Sequence, residues 1–266
     1  MNSLQAFFVA TYSYRRLIVE LSWSNLFTRF RRSVLGILWS VVAPLTTVAI
    51  WYGMHRVGIL APGDTGIPYW IYLLTGVTIF NLLVSTYDAV SRSITDNSNL
   101  ILDTTIPPSI YIVESLLSNS IRFMILFACV VVFIAINGYH YPLAALWLPL
   151  LLAPLVFTAI GMGILFSLFR VVLLDITLAV DRLLPLVLYS LPVVYSSHSA
   201  SPMLHRLARY NPLSYLVTIP RDAMLFGTFP SPMLFFTMLL FALCLLALAI
   251  HFFMRSHRLV VEKLLS

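Results

Sequence analysis

Long apolar runs separated by short polar stretches set the pattern of this chain. The first runs from about Val34 to Trp51, the second from Tyr69 to about Tyr87, and the third ends at Ile136. A fourth covers Leu143 to Phe169, a fifth Ile176 to Tyr195, and the last Met233 to Met254. Crossing the hydrocarbon core takes about 20 predominantly apolar residues, so the pattern predicts six transmembrane helices. The breaks have turn chemistry: PGDTGIP at 62–68, TDNSNLILDTTIPPS at 95–109 and NGYHYP at 137–142. The second helix is expected to continue past Tyr87, because Asp88 and Arg92 stand one turn apart in the favourable order for an i,i+4 pair. The fifth span must take in Asp181 and Arg182 near one end. Residues 196–231 form a long Pro- and Ser-containing segment whose middle, SYLVTIPRDAMLFG, is too short and too charged to cross.

Residues 1–30 follow a different pattern. At helical spacing Leu4, Phe7, Phe8, Tyr14, Ile18 and Leu21 share one face, with Gln5, Ser13, Arg16 and Glu20 opposite. This predicts an amphipathic helix lying in the headgroup layer. It is not a cleavable signal, since Arg15 and Arg16 interrupt its apolar pieces. RRSVLG has the look of a twin-arginine signal, but no small-residue cleavage site follows it.

Composition agrees with a membrane protein. The chain is 60% hydrophobic and 10% charged, with a mean hydropathy of +0.94. A soluble domain carries about 25% charged residues. The net charge of +6 does not point to nucleic acid, because the basic residues sit at the edges of apolar runs rather than in a patch. With the N-terminus inside, eleven of the 16 Lys and Arg residues fall on inner segments and only Arg56, Arg206, Arg209 and Arg221 outside. That asymmetry predicts cytoplasmic N- and C-termini. Arg29, Arg31 and Arg32, directly before the first span, act first as a topological lock. Cys129 and Cys244 lie in apolar runs and read as small hydrophobes rather than a disulfide framework or metal site.

Several chemistries are excluded. A P-loop needs a lysine at a fixed position, and the chain's single lysine is Lys263. HExxH is missing, and Tyr87–Asp88 has no GxGD partner for an intramembrane aspartyl protease. His198 and His205 lie seven apart without a third ligand. Glu114, Arg122, Asp181 and Arg182 all fall towards the inner ends of their spans, where snorkelling or mutual pairing accounts for them. No lone acid stands at the midplane, which disfavours a proton-coupled carrier. No catalytic residue and no metal ligand is assigned.

RRSVLGILWSVVAPL resembles the start of the first span in permeases of type-2 ABC exporters for polysaccharides, the group that moves O-antigen, capsule and teichoic acid. Four further stretches agree in order and spacing: LLTGVTIFNLL (73–83), NSNLILDTTIPPSIYIVESLL (97–117), LLPLVLYSLPVVYS (183–196) and NPLSYLVTIPRDAMLFG (211–227). The ordered set carries the resemblance; no single motif does. It implies an all-α integral membrane protein of the inner membrane: an N-terminal interfacial amphipathic helix (1–30), a six-span transmembrane domain (31–255) with re-entrant helices before the last span, and a cytoplasmic tail (256–266). It implies a homodimer driven by two copies of a separate ATPase subunit, which would bind ATP and Mg, with a lipid-linked glycan as substrate. Two departures stand out. Family members often have basic residues where this chain has Leu102–Asp103, and an Arg often precedes the aspartate aligned to Asp175, where Leu174 stands here. The alternatives are an exporter of the same architecture for a smaller lipid or drug, and a membrane-embedded enzyme or assembly factor.

The resemblance directs attention to three residue sets. The inner segment from Asp96 to Ser109, with Asp175, is the candidate ATPase contact. Its Asp and Asn residues, among them Asp96, Asn99 and Asp103, can cap a short helix, and Leu100, Ile101 and Leu102 form an apolar ridge. Pro107 and Pro108 stiffen the exit. Arg29, Arg31 and Arg32 are candidates to attract the phosphate of an incoming lipid-linked substrate. Trp39, Trp51, Tyr52, Tyr189 and Tyr195 are candidates to line the channel, where flat rings can stack on sugar faces; the competing reading is an interfacial aromatic belt. Gly36, Gly161 and Gly163 are candidates for close helix approach in the dimer.

Overall fold

The computed structural model describes residues 3–31, 38–196, 206 and 208–265. Every regular element among them is helical. Two N-terminal helices, α1 (Ser3–Ser13) and α2 (Arg15–Arg31), run on through Tyr14, which keeps its backbone bonds to Ala10 and Ile18. α3 (Leu38–Arg56), α4 (Tyr69–Asp96), the short α5 (Ser98–Asp103) and α6 (Ser109–Ile136) follow. A 3-10 turn at Leu143–Trp147 and the single turn α7 (Leu148–Leu151) lead into α8 (Ala153–Val172). α9 (Leu174–Leu183) passes into a 3-10 helix at Leu184–Ser190. α10 (Pro212–Phe226) and α11 (Pro232–Leu265) complete the described chain.

Four segments among the described residues are long and apolar enough to cross a membrane: Tyr69–Asp96, Ser109–Ile136, Leu143–Val172 and Pro232–Ser256. They coincide with the predicted second, third, fourth and last spans, and make this a multi-pass membrane protein. α3 occupies the predicted first span at 19 residues, its apolarity diluted by Trp51, Tyr52, His55 and two threonines. The fourth span carries its prolines differently from expectation. Pro149 and Pro154 each stand in the first turn of a helix, where the missing N–H has no intrahelical partner to lose.

The fifth run departs most from its prediction. It is not one helix but ten residues of α-helix, seven of 3-10 helix and an irregular end at Leu191–Ser196. At about 1.5 and 2.0 Å per residue the two helical parts still cover about 29 Å. Hydropathy is blind to this change of pitch. α10, by contrast, has clear punctuation. Asn211 accepts from the Leu213 amide at 3.0 Å, Pro212 takes the first helical position, and Gly227 closes the helix at φ 70°. At 15 residues, about 22 Å, it is too short to cross.

α8 is the central helix, packed between α4 and α11; α4 also packs on α6, and α2 on α6. Gly161 and Gly163 make these contacts possible. A Cβ on Gly161 would stand 3.1 Å from Leu245 Cγ on α11, and one on Gly163 2.7 Å from Val90 Cβ on α4. Both glycines therefore serve approaches inside one chain rather than the dimer contact anticipated for them; Gly36 lies outside the described residues. The N-terminal helices also use their apolar face differently from expectation. Phe7, Ile18 and Leu26 are buried against the bundle, while Val9, Tyr12, Val19 and Trp23 remain exposed.

Candidate functional site: a polar seam between α4 and α6

Polar residues recur along one side of α4 at Asn81, Ser85, Asp88, Arg92 and Asp96, steps of four, three, four and four. α6 answers with Glu114, Ser118 and Arg122, each one turn apart. Together with Asn25 and Leu26 of α2 these side chains line a cavity of about 500 Å³. A smaller space of about 350 Å³ adjoins it, lined by Asn81, Asp88, Arg92 and Asp181 among others.

Much of the lining is held in place by side-chain pairing. Glu114 is 2% exposed and accepts hydrogen bonds from Asn25 Nδ2 at 3.0 Å and Ser118 Oγ at 2.7 Å. Asn119 donates to Thr86 Oγ1 at 3.1 Å and thereby ties α6 to α4. Asp88 and Arg92 form the predicted i,i+4 pair. Asp181, from α9, is the junction of the wall: it accepts from Arg92 at 2.7 Å, from Arg170 at 2.8 Å and from the Tyr87 hydroxyl at 3.3 Å. Arg170 also donates to Ser91 at 3.1 Å. Asp181 is thus paired, not with the other span-end charges expected for it but with Arg92 and with Arg170, which comes from the preceding helix across the α8–α9 bend.

A second polar cluster lies at the opposite end of α4. Here side chains satisfy irregular backbone. The Tyr69 hydroxyl donates to the Val194 carbonyl at 2.8 Å, and that of Tyr72 to the Pro192 carbonyl at 3.1 Å. Arg221 of α10 is 1% exposed. Its guanidinium donates to the Pro192 carbonyl, pairs with Asp222 at 2.8 Å and lies 4.0 Å over the Tyr72 ring. Nearby, in the reversal after α6, Tyr139 donates to the Leu225 carbonyl. Burial raises the Tyr139 phenol, and burial followed by the proximity of Tyr139 raises that of Tyr141, so both stay neutral donors.

The three sequence-assigned sets fare differently. Asp96 ends α4 and borders the seam; Asn99 to Asp103 form α5, with Pro107 and Pro108 leading into α6. The apolar ridge is divided. Leu100 is 44% exposed and Leu102 36%, but Ile101 is buried at 4% among Val90, Ile94, Ile112 and Phe253. Side-chain capping of α5 does not occur: Asn97 takes the cap position and donates instead to the Ser93 carbonyl at 2.7 Å. Asp175 sits apart, in the first turn of α9. Of the aromatics, Trp51 and Tyr189 meet with ring centroids 5.4 Å apart. Tyr52 packs against His55, and Tyr195 is buried with its hydroxyl on the Ser190 carbonyl, which makes it a structural donor. Trp39 opens α3, and Arg29 and Arg31 lie in the last turn of α2. Arg32 falls outside the described residues, as do His198 and His205.

The sequence reading missed the seam as a unit. The signal was present in the i+3/i+4 recurrence on α4, but a search for lone acids passes over an amide such as Asn81.

Two curated relatives extend over most of this chain. An O-antigen export system permease protein RfbA of Klebsiella pneumoniae is 27% identical over 214 residues, 80% of this chain and 81% of that protein. A second protein of the same name and organism is 24% identical over 213 residues, 79% and 81% of the two chains. No family model matches. Both names agree with the resemblance to polysaccharide-exporter permeases that the five ordered stretches carry.

Proposed function

We propose that this chain is the transmembrane permease subunit of an ABC exporter that moves a lipid-linked polysaccharide of the O-antigen kind across the inner membrane. The observation that carries the reading is the similarity running through about four-fifths of both chains to O-antigen export permeases. The chain works as a homodimer with two copies of a separate ATPase, which binds ATP and Mg and supplies the energy. Six crossings, with α3 and the broken α9 segment as the first and fifth, leave both termini in the cytoplasm. α10 then dips into the outer leaflet and returns. A deletion strain should lose its surface glycan and accumulate the lipid-linked form inside, with recovery by the plasmid-borne gene. Unchanged surface glycan would refute the reading.

α5 is the proposed seat of the ATPase. Its exposed Leu100 and Leu102 suit a groove on the partner, while buried Ile101 fastens the helix to the permease. Leu100→Ser with Leu102→Ser should release the ATPase on copurification and leave permease abundance intact. Ile101→Ala should instead lower stability by about 2–5 kcal/mol, the usual cost of truncating a buried isoleucine. Retention of the ATPase by the double variant would move the contact to α9 and Asp175. Arg29, Arg31 and Arg32 remain the proposed attractors of the substrate phosphate, tested by export in Arg31→Gln with Arg32→Gln at normal abundance.

A further inference from the structure

We infer that the α4–α6 seam is a binding site for the neutral saccharide part of a lipid-linked ligand, apart from its phosphate. The cavity, about 500 Å³, falls within the range of about 300–1,000 Å³ typical of small-molecule sites. Its lining selects the class of ligand. Three carboxylates, Asp88, Asp96 and Glu114, stand against two guanidiniums, Arg92 and Arg122. A phosphate would meet an excess of acid, and an ammonium group would meet two arginines. Sugar hydroxyls both donate and accept, and carboxylate, amide and guanidinium groups together answer both needs.

Asn81 is the second observation. It lies 12 residues into a 28-residue helix, about 18 Å from the start, hence near mid-depth. Its carboxamide has no hydrogen-bond partner among the described residues and borders both spaces. Polar groups within spans are costly and normally find partners, so an amide left open towards a cavity is suited to a ligand. One part of the wall is apolar. Leu26, Phe123 and Leu126 line it, and Phe123 stacks on Phe127 at 5.7 Å. Phe123 can take the C–H face of a pyranose, and the two leucines complete the apolar side of the cavity.

The kind of molecule rests on the export function proposed above; the site itself rests on the seam. The test uses the full chain in nanodiscs with Cys129→Ala, Cys244→Ala and Ala89→Cys, which places one thiol in the cavity wall, and follows its reaction with a polar maleimide. Dodecyl maltoside should slow labelling saturably, by about 10-fold at ten times the half-saturating concentration. Dodecyl phosphate, with the same tail and an anionic head, should not. Asn81→Leu should raise the half-saturating concentration about 5-fold, the worth of one hydrogen bond. Ser115→Cys provides a second reporter should the first variant fold poorly. Equal protection by both amphiphiles, protection by the phosphate alone, or no protection from either reporter overturns the inference. A deletion strain that loses its surface glycan while the purified chain shows no protection would keep the export function and remove this site. Saturable maltoside protection in a chain whose deletion leaves the surface glycan unchanged would do the reverse.

Discussion

Two arginine-centred clusters, around Arg221 and around Asp181 with Arg170 and Arg92, bind opposite ends of the same helix. Tyr72 belongs to one and Arg92 to the other, 20 residues or about 30 Å apart along α4, the thickness of a hydrocarbon core. At the Arg221 end, side chains are spent on backbone: Tyr69, Tyr72 and Arg221 satisfy the carbonyls of Val194 and Pro192, which have left regular helix. Non-helical backbone survives at membrane depth only when its polar groups are met in this way. At the Asp181 end the backbone is helical and needs no such help. There, charged side chains meet one another across three helices and leave a cavity beside them. Polar residues in a membrane protein thus divide by what they bond. Those that bond carbonyls close a fold, and those that bond each other around a space can frame a site.

Substitutions can separate the two uses. The largest loss is expected from Asp181→Asn, which strands Arg170 at 4% side-chain exposure. Breaking a buried pair from one side costs about 3–5 kcal/mol, readable as a large fall in Tm of the purified protein. Asp181→Leu with Arg170→Leu should restore most of it; no recovery would mean that the pair does more than cancel its own charges. Arg221→Met comes next, at about 1.5–3 kcal/mol for lost charged hydrogen bonds, softened because Tyr72 still donates to the Pro192 carbonyl. Arg92→Gln should cost about 1 kcal/mol or less, since Arg92 is 40% exposed and Asp181 keeps Arg170. Asn81→Leu should cost nothing measurable in Tm. A loss there as large as that of Asp181→Asn would make the seam structural and erase the distinction drawn above.

How far the sequence reveals these regions depends on the range of the interaction. The long helices were legible because a predominantly apolar run of roughly 20 residues or more bounded by PGDTGIP, NGYHYP or a proline pair has few other solutions in lipid. The Asp88–Arg92 pair was legible because it is one turn long. The partner of Asp181 was not, since Arg170 lies 11 residues back across a bend that no pattern announces. The irregular end at Leu191–Ser196 was hidden for a related reason: its carbonyls are answered by Tyr69 and Tyr72, more than a hundred residues away. Ile101 was assigned to a docking ridge because three apolar residues in a row carry no face until the helix axis is known. Only the helix shows that one of the three points inward.

The fifth run is pinned at both extremities. Asp181 fixes its α-helical part to α4 and α8, and Tyr69, Tyr72 and Arg221 hold its irregular end. Between the pins, Leu184–Ser190 is wound as a 3-10 helix of seven residues. That winding rises about 2.0 Å per residue against about 1.5 Å for an α-helix, so rewinding it would draw the pins about 3–4 Å closer. The segment therefore carries adjustable slack. If the two ends of the bundle change their separation, this run can follow by changing pitch, with neither anchor released.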